Sequence, residues 1–220
     1  MELFKKMIAI GGRANVITCN TLIGGLCKIG KISVAIKLLE EMVNGNKESV
    51  VFCRLDVVVY TTIIDGLCKA GLVEKARQLF LEHMIQRGRK GCRPNVFSYS
   101  TLINWYCKNK EVNEALSLYR EMISKGIRPD MITYNTLLTG FFLIAKVKDA
   151  HNLVGEMRLN DGFPNFWTYS IFINGLWKNG CVLEALEMFN TLVINKFAVS
   201  IGGLSSRIDG LCKTGRFETA

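Results

Sequence analysis

The three prolines of this chain share one spacing. They are Pro94, Pro129 and Pro164, and 35 residues separate each from the next. The segment from Val96 to Asp130, VFSYSTLINWYCKNKEVNEALSLYREMISKGIRPD, is followed by two more segments of equal length that begin MITYNTLLTGF and FWTYSIFINGL. A fixed period near 35 residues is typical of solenoids built from small stacked units. The period therefore predicts a repeat array instead of a single globular core.

Unit boundaries follow if each unit starts at the apolar residue after an Asn- or Asp-like position. The first two whole units are then longer than 35 residues, and the extra residues are placed mostly in the loop-like segments Gly45–Asp56 and Gln86–Asn95. The chain opens in a second helix and stops as another begins, so we expect a piece of a longer array or a truncated gene product. The predicted division is a half unit at 1–15, whole units at 16–56, 57–95, 96–130, 131–165 and 166–200, and a half unit at 201–220.

Two apolar stripes with helical spacing recur in every unit. In the third unit the stripe in Ser98–Lys108 is formed by Tyr99, Leu102, Ile103 and Tyr106, and the stripe in Val112–Ser124 by Ala115, Leu118, Tyr119 and Met122. A glycine suited to a helix C-terminus stands at position fifteen in four units, as Gly30, Gly71, Gly180 and Gly215. Each unit is therefore predicted to be a helical hairpin, which makes the fold all-α.

Four of the eight cysteines recur at one position of the repeat. Position twelve is occupied by Cys27, Cys68, Cys107 and Cys212, and in the other two units by Phe142 and Trp177. A position that accepts Cys, Phe or Trp is predicted to be a packing position, where free Cys behaves as a small hydrophobe. No CxxC pair occurs, and the two histidines are far apart in sequence. We therefore expect neither a metal nor another cofactor.

Small residues also recur, as glycine at position ten, where Trp105 is the exception, and as alanine at position twenty. Both are predicted to let neighbouring helices approach closely.

The charge balance points to an anionic partner. The chain has 28 Lys and Arg against 19 Asp and Glu, a formal net charge of +9. Nucleic acid, an anionic membrane surface and a merely solvated basic surface all fit this balance. No apolar run of about 18 residues is present, so no transmembrane helix is expected. Glu114, Glu121 and Glu184 fall on second helices, where a solvated face is the ordinary location, and the sequence contains no nucleophile–base pair, so we expect no enzyme activity.

The phrases VITCNTLIGGLCKIGK, VVYTTIIDGLCKAGL, MITYNTLLTGF and LYREMISKGIRPD closely resemble pentatricopeptide repeats. GLCKIGK, GLCKAGL and GLCKTGR are similar to the restorer-of-fertility-like group of plant P-class proteins. The resemblance covers essentially the whole chain. It implies a right-handed α-solenoid superhelix that binds single-stranded RNA with one base per repeat. The function implied is organellar RNA processing, stability or translation control, with RNA-processing proteins as recruited partners.

The resemblance also implies a mitochondrial location, with the chloroplast and the cytosol as alternatives, although the N-terminal sequence is not that of a transit peptide. The competing interpretations are a peptide-binding scaffold like the tetratricopeptide repeat, which has a period of 34 residues, and a truncated array without function.

In the family, residue five and the last residue of each unit select the base. Carried to this sequence, the pairs are Asn20 with Asp56, Thr61 with Asn95, Ser100 with Asp130, Asn135 with Asn165, and Ser170 with Ser200. Asn15 and Ser205 are the corresponding residues of the two half units. By the family pattern these pairs read uracil, adenine, guanine and a pyrimidine in turn, and the Ser/Ser pair gives no assignment. The resemblance therefore predicts a core of U-A-G-(C or U), 5′ to 3′ from the N-terminal repeat.

Two further rows have candidate roles. Position two is apolar or aromatic and is expected to sandwich bases, with packing between repeats as the alternative; it holds Ile17, Val58, Phe97, Ile132 and Trp167. Position thirteen is expected to contact phosphates, with favourable helix C-terminal charge as the alternative; it holds Lys28, Lys69, Lys108, Lys178 and Lys213, with Leu143 the exception.

The last unit departs from the pattern. It has Gly202 and Gly203 where its first helix should start, and Arg207 at a position that is apolar in the other units.

Overall fold

A computed structural model describes residues 15–44, 56–86, 92–160 and 162–194 of the 220-residue chain. All regular secondary structure in these ranges is helical. The helices are α1 (Val16–Lys28), α2 (Ile32–Asn44), α3 (Val57–Lys69), α4 (Val73–Leu79), which continues as the π-helix π1 (Phe80–Gln86), α5 (Val96–Lys108), α6 (Val112–Ser124), α7 (Met131–Leu143), α8 (Val147–Leu159), α9 (Phe166–Lys178) and α10 (Val182–Ile194). The odd-numbered helices are the first helices of repeats 1 to 5, and the even-numbered helices are the second helices.

Local sequence signals explain where the helices start and stop. Each first helix begins directly after an Asn or Asp whose side-chain oxygen accepts a backbone N–H of the first turn. Three first helices end at a glycine in the left-handed region: Gly30 (φ 75°), Gly71 (φ 76°) and Gly180 (φ 78°). In the other two repeats Lys110 (φ 65°) and Ala145 (φ 58°) adopt the same conformation without being glycine. The all-helical array of paired helices expected from the period is confirmed.

The chain divides into two compact units, Met1–Trp105 and Tyr106–Ala220. In the first unit α1 packs against α2 and α3, and α3 packs against α4 and π1. In the second unit α7 packs against α6, α8 and α9, and α9 packs against α8 and α10. Within each unit, the first helices of consecutive repeats are therefore direct neighbours.

Three of the four described glycines at position ten are contact points between repeats, as predicted. A Cβ added to Gly66 would lie 2.5 Å from the Sγ of Cys27, and one added to Gly140 would lie 2.6 Å from the Sγ of Cys107. At Gly175 the nearest atom of the Phe142 ring would be 2.2 Å away. Position twelve of one repeat therefore rests on position ten of the next. The packing interpretation of these rows is confirmed, and the alanines at position twenty are fully buried as well: Ala35, Ala76, Ala115, Ala150 and Ala185.

Burial also determines the chemistry of the position-twelve cysteines. Desolvation raises the pKa of Cys68 and of Cys107 to about 12. The pKa of Cys27 is raised as well, first by burial and then by the negative charge of Asp65. At neutral pH these thiols remain protonated, and they act as core groups, not as nucleophiles.

The second helix of repeat 2 departs from the expected structure. One of that repeat's four extra residues lies within the helix and not in the loop from Gln86, and Gln86 itself is the last residue of π1. The segment LFLEHM, Leu79–Met84, has one residue more than the matching LYREM, Leu118–Met122. A π turn holds more residues per turn than an α turn and absorbs the extra residue within the helix. As a result Met84 is buried in the core as completely as Met122.

Polar contacts between consecutive repeats supplement the apolar packing. The Tyr119 hydroxyl on α6 donates to Glu156 Oε1 on α8 at 2.6 Å. Burial raises the pKa of Tyr119, and the hydrogen bond to Glu156 raises it further. His151 Nε2 on α8 lies 2.5 Å from Glu184 Oε1 on α10. Second helices are thus joined by side-chain bonds as well as by burial.

Candidate nucleic-acid interface

Positions two, five, nine and thirteen lie on one face of each first helix. Their spacing of three or four residues returns to the same side of an α-helix, and the whole row spans about 17 Å along the axis. We call this row the exposed stripe. In the first unit the stripe of repeat 1 lies beside the first helix of repeat 2, because a Cβ at Gly24, position nine of α1, would lie 3.7 Å from Thr62, position six of α3.

Position two carries a large apolar side chain that remains in solvent in every described repeat. The exposed fractions are 75% for Ile17, 52% for Val58, 64% for Phe97, 58% for Ile132 and 65% for Trp167. Packing between repeats, the alternative role for this row, does not bury these side chains. Each described repeat instead presents one exposed apolar side chain at this position.

The polar side chains at position five are less exposed than polar side chains usually are at a protein surface. Asn20 and Asn135 are partly buried, and the Oδ1 of each is buried without a hydrogen-bond partner. A buried, unpaired amide oxygen is costly, and such an atom calls for an explanation. The hydroxyls of Thr61 and Ser170 donate to the carbonyls of Val57 and Phe166, at 2.7 and 2.9 Å. Their oxygens therefore remain usable mainly as acceptors.

The last residue of each repeat caps the next first helix, a role that the sequence interpretation did not include. Asp56 Oδ1 accepts from Val58 N and Val59 N at 3.0 and 3.1 Å. Asn95 Oδ1 accepts from Ser98 N at 3.0 Å, and Asp130 Oδ1 accepts from Thr133 N at 2.8 Å. Asn165 and Asn15 cap α9 and α1 in the same way. The predicted base-selecting side chain is therefore held by the helix end behind it.

Capping fixes which atom of that side chain is left for another partner. Because a backbone N–H requires an acceptor, the amide oxygen of Asn must face the helix and its Nδ2 must face away. For Asp the atom left over is Oδ2, an acceptor. An Asn thus offers a donor where an Asp offers an acceptor, with the same backbone behind both.

Four hydroxyl residues complete the caps and are positioning residues that the sequence interpretation missed. Thr18, Thr133 and Thr168 donate to the capping oxygens of Asn15, Asp130 and Asn165, at 2.9, 2.9 and 3.1 Å. Ser98 instead accepts from the backbone N–H of the capping residue Asn95 at 2.9 Å. The detectable signal is a Ser or Thr three residues after the Asn or Asp. Repeat 2 has Val59 there and lacks the hydroxyl.

The predicted phosphate contacts lie at the other end of the stripe. Lys28, Lys69, Lys108 and Lys178 are the last residues of their helices, and all four are exposed. Lys69 also forms an ion pair with Asp65 at position nine, with Nζ and Oδ2 2.6 Å apart. In repeat 4 the exposed residue at this place is Leu143.

The remaining predicted residues, Ser200, Ser205, Lys213 and the glycines at 202 and 203, lie outside the described residues. Among the residues that are described, no cluster of three or more His, Cys, Asp or Glu side chains is arranged to hold a metal ion. None of the described helices combines the length and the apolar character that crossing a membrane requires.

Comparison with solved structures identifies the fold. The chain aligns over its full length with 31% of the pentatricopeptide repeat protein PPR10 from maize, at 24% identity and a TM-score of 0.67. PPR10 in complex with an 18-nt psaJ RNA element matches 93% of the chain with a TM-score of 0.72 at 24% identity, over 29% of that protein. The PPR domain of Arabidopsis thaliana protein-only RNase P 1, in complex with tRNA, is 14% identical with a TM-score of 0.63, over 87% of this chain and 96% of that domain.

The chain spans about a third of the PPR10 structures. No curated protein matches it by sequence. Models of the PPR repeat match residues 10–43 and 167–197, and the model of the PPR repeat family matches residues 55–104, 94–143 and 132–178. Together these matches cover well over half of the sequence, and the chain belongs to the pentatricopeptide repeat family.

Proposed function

We propose that this array binds single-stranded RNA along the exposed stripes, with one base per repeat. The observation that carries the proposal is the row of exposed apolar side chains at position two, one in each described repeat. Proteins that bind single strands use such side chains as stacking platforms, each worth about 1–3 kcal/mol per base. The two solved relatives named above that contain RNA, PPR10 and the RNase P domain, support the choice of ligand.

Base selection in this proposal follows from the capping geometry. Uracil and guanine carry a ring N–H on the Watson–Crick edge, and adenine and cytosine carry a bare ring nitrogen there. The outward Oδ2 of Asp56 and of Asp130 suits the first pair of bases, and the outward Nδ2 of Asn95 and of Asn165 suits the second. This agrees with uracil, adenine and guanine for repeats 1 to 3, and it favours cytosine over uracil for repeat 4.

Position five supplies the second polar contact. The unpaired Oδ1 of Asn20 and of Asn135 would gain a donor from the base, which removes the cost of leaving it buried and unpaired. The oxygens of Thr61 and Ser100 would distinguish the purines in repeats 2 and 3. The exposed lysines at position thirteen add a sequence-independent attraction to phosphates that weakens with salt.

The same proposal extends to biological role. The GLCK phrases resemble the restorer-of-fertility-like group of plant P-class proteins, and from that resemblance we infer membership of this group and a mitochondrial site of action. The array acts by occupancy: it covers a segment of messenger RNA or presents it to a separate processing enzyme. It carries out no chemistry of its own.

The test exchanges the outward atom and leaves the cap intact. RNA oligomers with a UAGC core are compared with oligomers that carry UAAC, for the unchanged chain and for Asp130→Asn. Asn and Asp cap helices about equally well, so the free energy of unfolding should not change. We expect the preference for G over A at the third base to reverse, by roughly 5- to 150-fold for a contact worth about 1–3 kcal/mol.

Asn165→Asp is the reciprocal variant and should shift the fourth base from C toward U. Asn20→Ala combined with Thr61→Ala removes the position-five contacts of two repeats and should weaken binding to the UAGC oligomer. If every chain bound the UAGC oligomer and scrambled RNA with equal affinity, base reading would be excluded. The peptide-binding alternative would then take its place.

A further inference from the structure

Repeat 4 lacks cationic side chains at two places where repeats 2 and 3 have them. The residue two before the helix cap is Arg93 in repeat 2 and Arg128 in repeat 3, both exposed, and Phe163 in repeat 4. At position thirteen the same repeat has Leu143 in place of lysine. Phe163 is 79% exposed and Leu143 is 49% exposed. Apolar side chains therefore stand in solvent at both positions.

Packing does not account for Phe163. In repeats 2 and 3 the residue before the arginine points its side chain toward the core, with Cys92 buried and Ile127 partly buried. In repeat 4 that residue is Gly162, whose N–H donates to the Met157 carbonyl oxygen at 2.9 Å. A Cβ there would lie 3.0 Å from the same oxygen, a tight contact that favours glycine at this position. Phe163 does not fill the place left by Gly162, because most of its surface is in solvent.

The location of Phe163 is next to the predicted base site. It precedes the capping residue Asn165 by two residues, and Trp167, which is 65% exposed, follows Asn165 by two residues. Pro164 restricts the backbone between Phe163 and the cap. Two exposed aromatic rings thus flank, along one short segment, the side chain proposed to read the fourth base.

We propose that Phe163 is a second stacking surface for the nucleotide read by Asn135 and Asn165, and that it takes the place of an arginine–phosphate contact. This rests on the proposed RNA-binding function. An aromatic face attracts a base without releasing counterions, whereas an arginine on a phosphate contributes about 0.7 to the salt slope of single-strand binding. Repeat 4 therefore holds its nucleotide by stacking, and its affinity depends less on salt than that of repeats 2 and 3.

The experiment measures Trp fluorescence and anisotropy with two RNA probes, a UAGC oligomer and the same oligomer with an abasic fourth nucleotide. Phe163→Ala should bind the intact oligomer roughly 5- to 150-fold more weakly. The same variant should lose little affinity for the abasic oligomer, because no base is left to stack. The slope of log affinity against log salt is negative, and Phe163→Arg should make it steeper by about 0.7. Arg128→Phe, the matched exchange in repeat 3, should make it shallower by the same amount.

Two results would overturn the inference: unchanged affinity of Phe163→Ala, or an equal loss with the intact and the abasic oligomers. The second result would assign the exposed ring to the RNA backbone, because the loss would not depend on the base. If the unchanged chain prefers UAGC over scrambled RNA while Phe163→Ala behaves identically, this inference alone fails. If the unchanged chain shows no preference, the proposed function fails first. Circular dichroism verifies that each variant is folded, which the exposure of Phe163 leads us to expect.

Discussion

Helix α9 carries two tryptophans in opposite environments. Trp167, at the second position of its repeat, is 65% exposed, and Trp177, at the twelfth, is 7% exposed. The two side chains are ten residues apart and point about 80° away from each other around the helix axis. The same residue type on the same helix is thus in solvent at one end and in the core at the other.

This difference in burial depends on the position within the repeat and not on the hydrophobicity of the side chain. The first turns of the first helices expose apolar side chains, next to the Asn or Asp that caps the helix. The last turns bury or partly bury Cys, Phe or Trp, and three of these residues, Cys27, Cys107 and Phe142, lie against a glycine of the next repeat. An average over the helix would hide this division. We expect substitutions at the C-terminal end of the first helices to change stability, and substitutions at the N-terminal end to change ligand binding.

Replacing Trp177 should have the largest effect. Trp177→Ala removes a buried indole and should lower the free energy of unfolding by about 3–5 kcal/mol. Trp177→Phe should cost far less, because Phe142 fills the same position in repeat 4 and the buried Nε1 of Trp177 has no hydrogen-bond partner. Urea denaturation followed by circular dichroism measures both variants. Equal stability of Trp177→Ala and Trp167→Ala would remove the contrast between the two ends.

A methyl group added at position ten also tests packing at the buried C-terminal end of the first helix. Gly175→Ala places a Cβ 2.2 Å from the Phe142 ring, which also meets Phe172 edge-on with ring centres 5.1 Å apart. We expect a destabilisation of about 1–3 kcal/mol from overpacking. Gly25→Ala is the matched control in repeat 1, where no other helix among the described residues comes within 4 Å of the added Cβ. It should stabilise the chain by up to about 1 kcal/mol through helix propensity, so the two alanines should shift the urea midpoint in opposite directions.

Much of this division was predictable from the phase of the repeat. The starts of the first helices, the terminal glycines such as Gly180 and the packing role of position twelve all follow from local signals that recur every 35 residues or so. The π turn from Phe80 did not follow, because one extra residue in LFLEHM is locally indistinguishable from a longer loop. The burial of Asn20 Oδ1 is also non-local, since the next repeat, α3, packs against α1.

A substitution at the exposed N-terminal end of α9 should change RNA affinity and not stability. Trp167→Ala should leave the urea midpoint within about 0.5 kcal/mol of the original, as for other surface changes. Its affinity for the UAGC oligomer should fall roughly 5- to 150-fold, because a stacking platform is lost. Trp167→Phe keeps an aromatic face and should recover most of that affinity in the same anisotropy titration. A stability loss as large as that of Trp177→Ala would instead assign Trp167 to the core.

The smallest expected effect concerns the residue that follows each first helix. After α9, Gly180 N donates to Trp177 O at 3.2 Å and Cys181 N donates to Leu176 O at 2.9 Å. After α7 the same two bonds form from Ala145 N and Lys146 N, at 3.3 and 2.9 Å, although Ala145 must adopt φ 58°. An L-residue in this region costs about 1–2 kcal/mol relative to glycine. Glycine loses part of this advantage, because its unfolded chain has greater conformational freedom.

Ala145→Gly should therefore stabilise the chain by about 0.5–1 kcal/mol, and Gly180→Ala should destabilise it by a similar amount, both read from urea midpoints. RNA affinity should change in neither variant, since the turn lies beyond the last residue of the stripe. A gain in affinity without a gain in stability would mean that the C-terminal end of the first helix takes part in binding, and the separation drawn from the two tryptophans would then be incomplete.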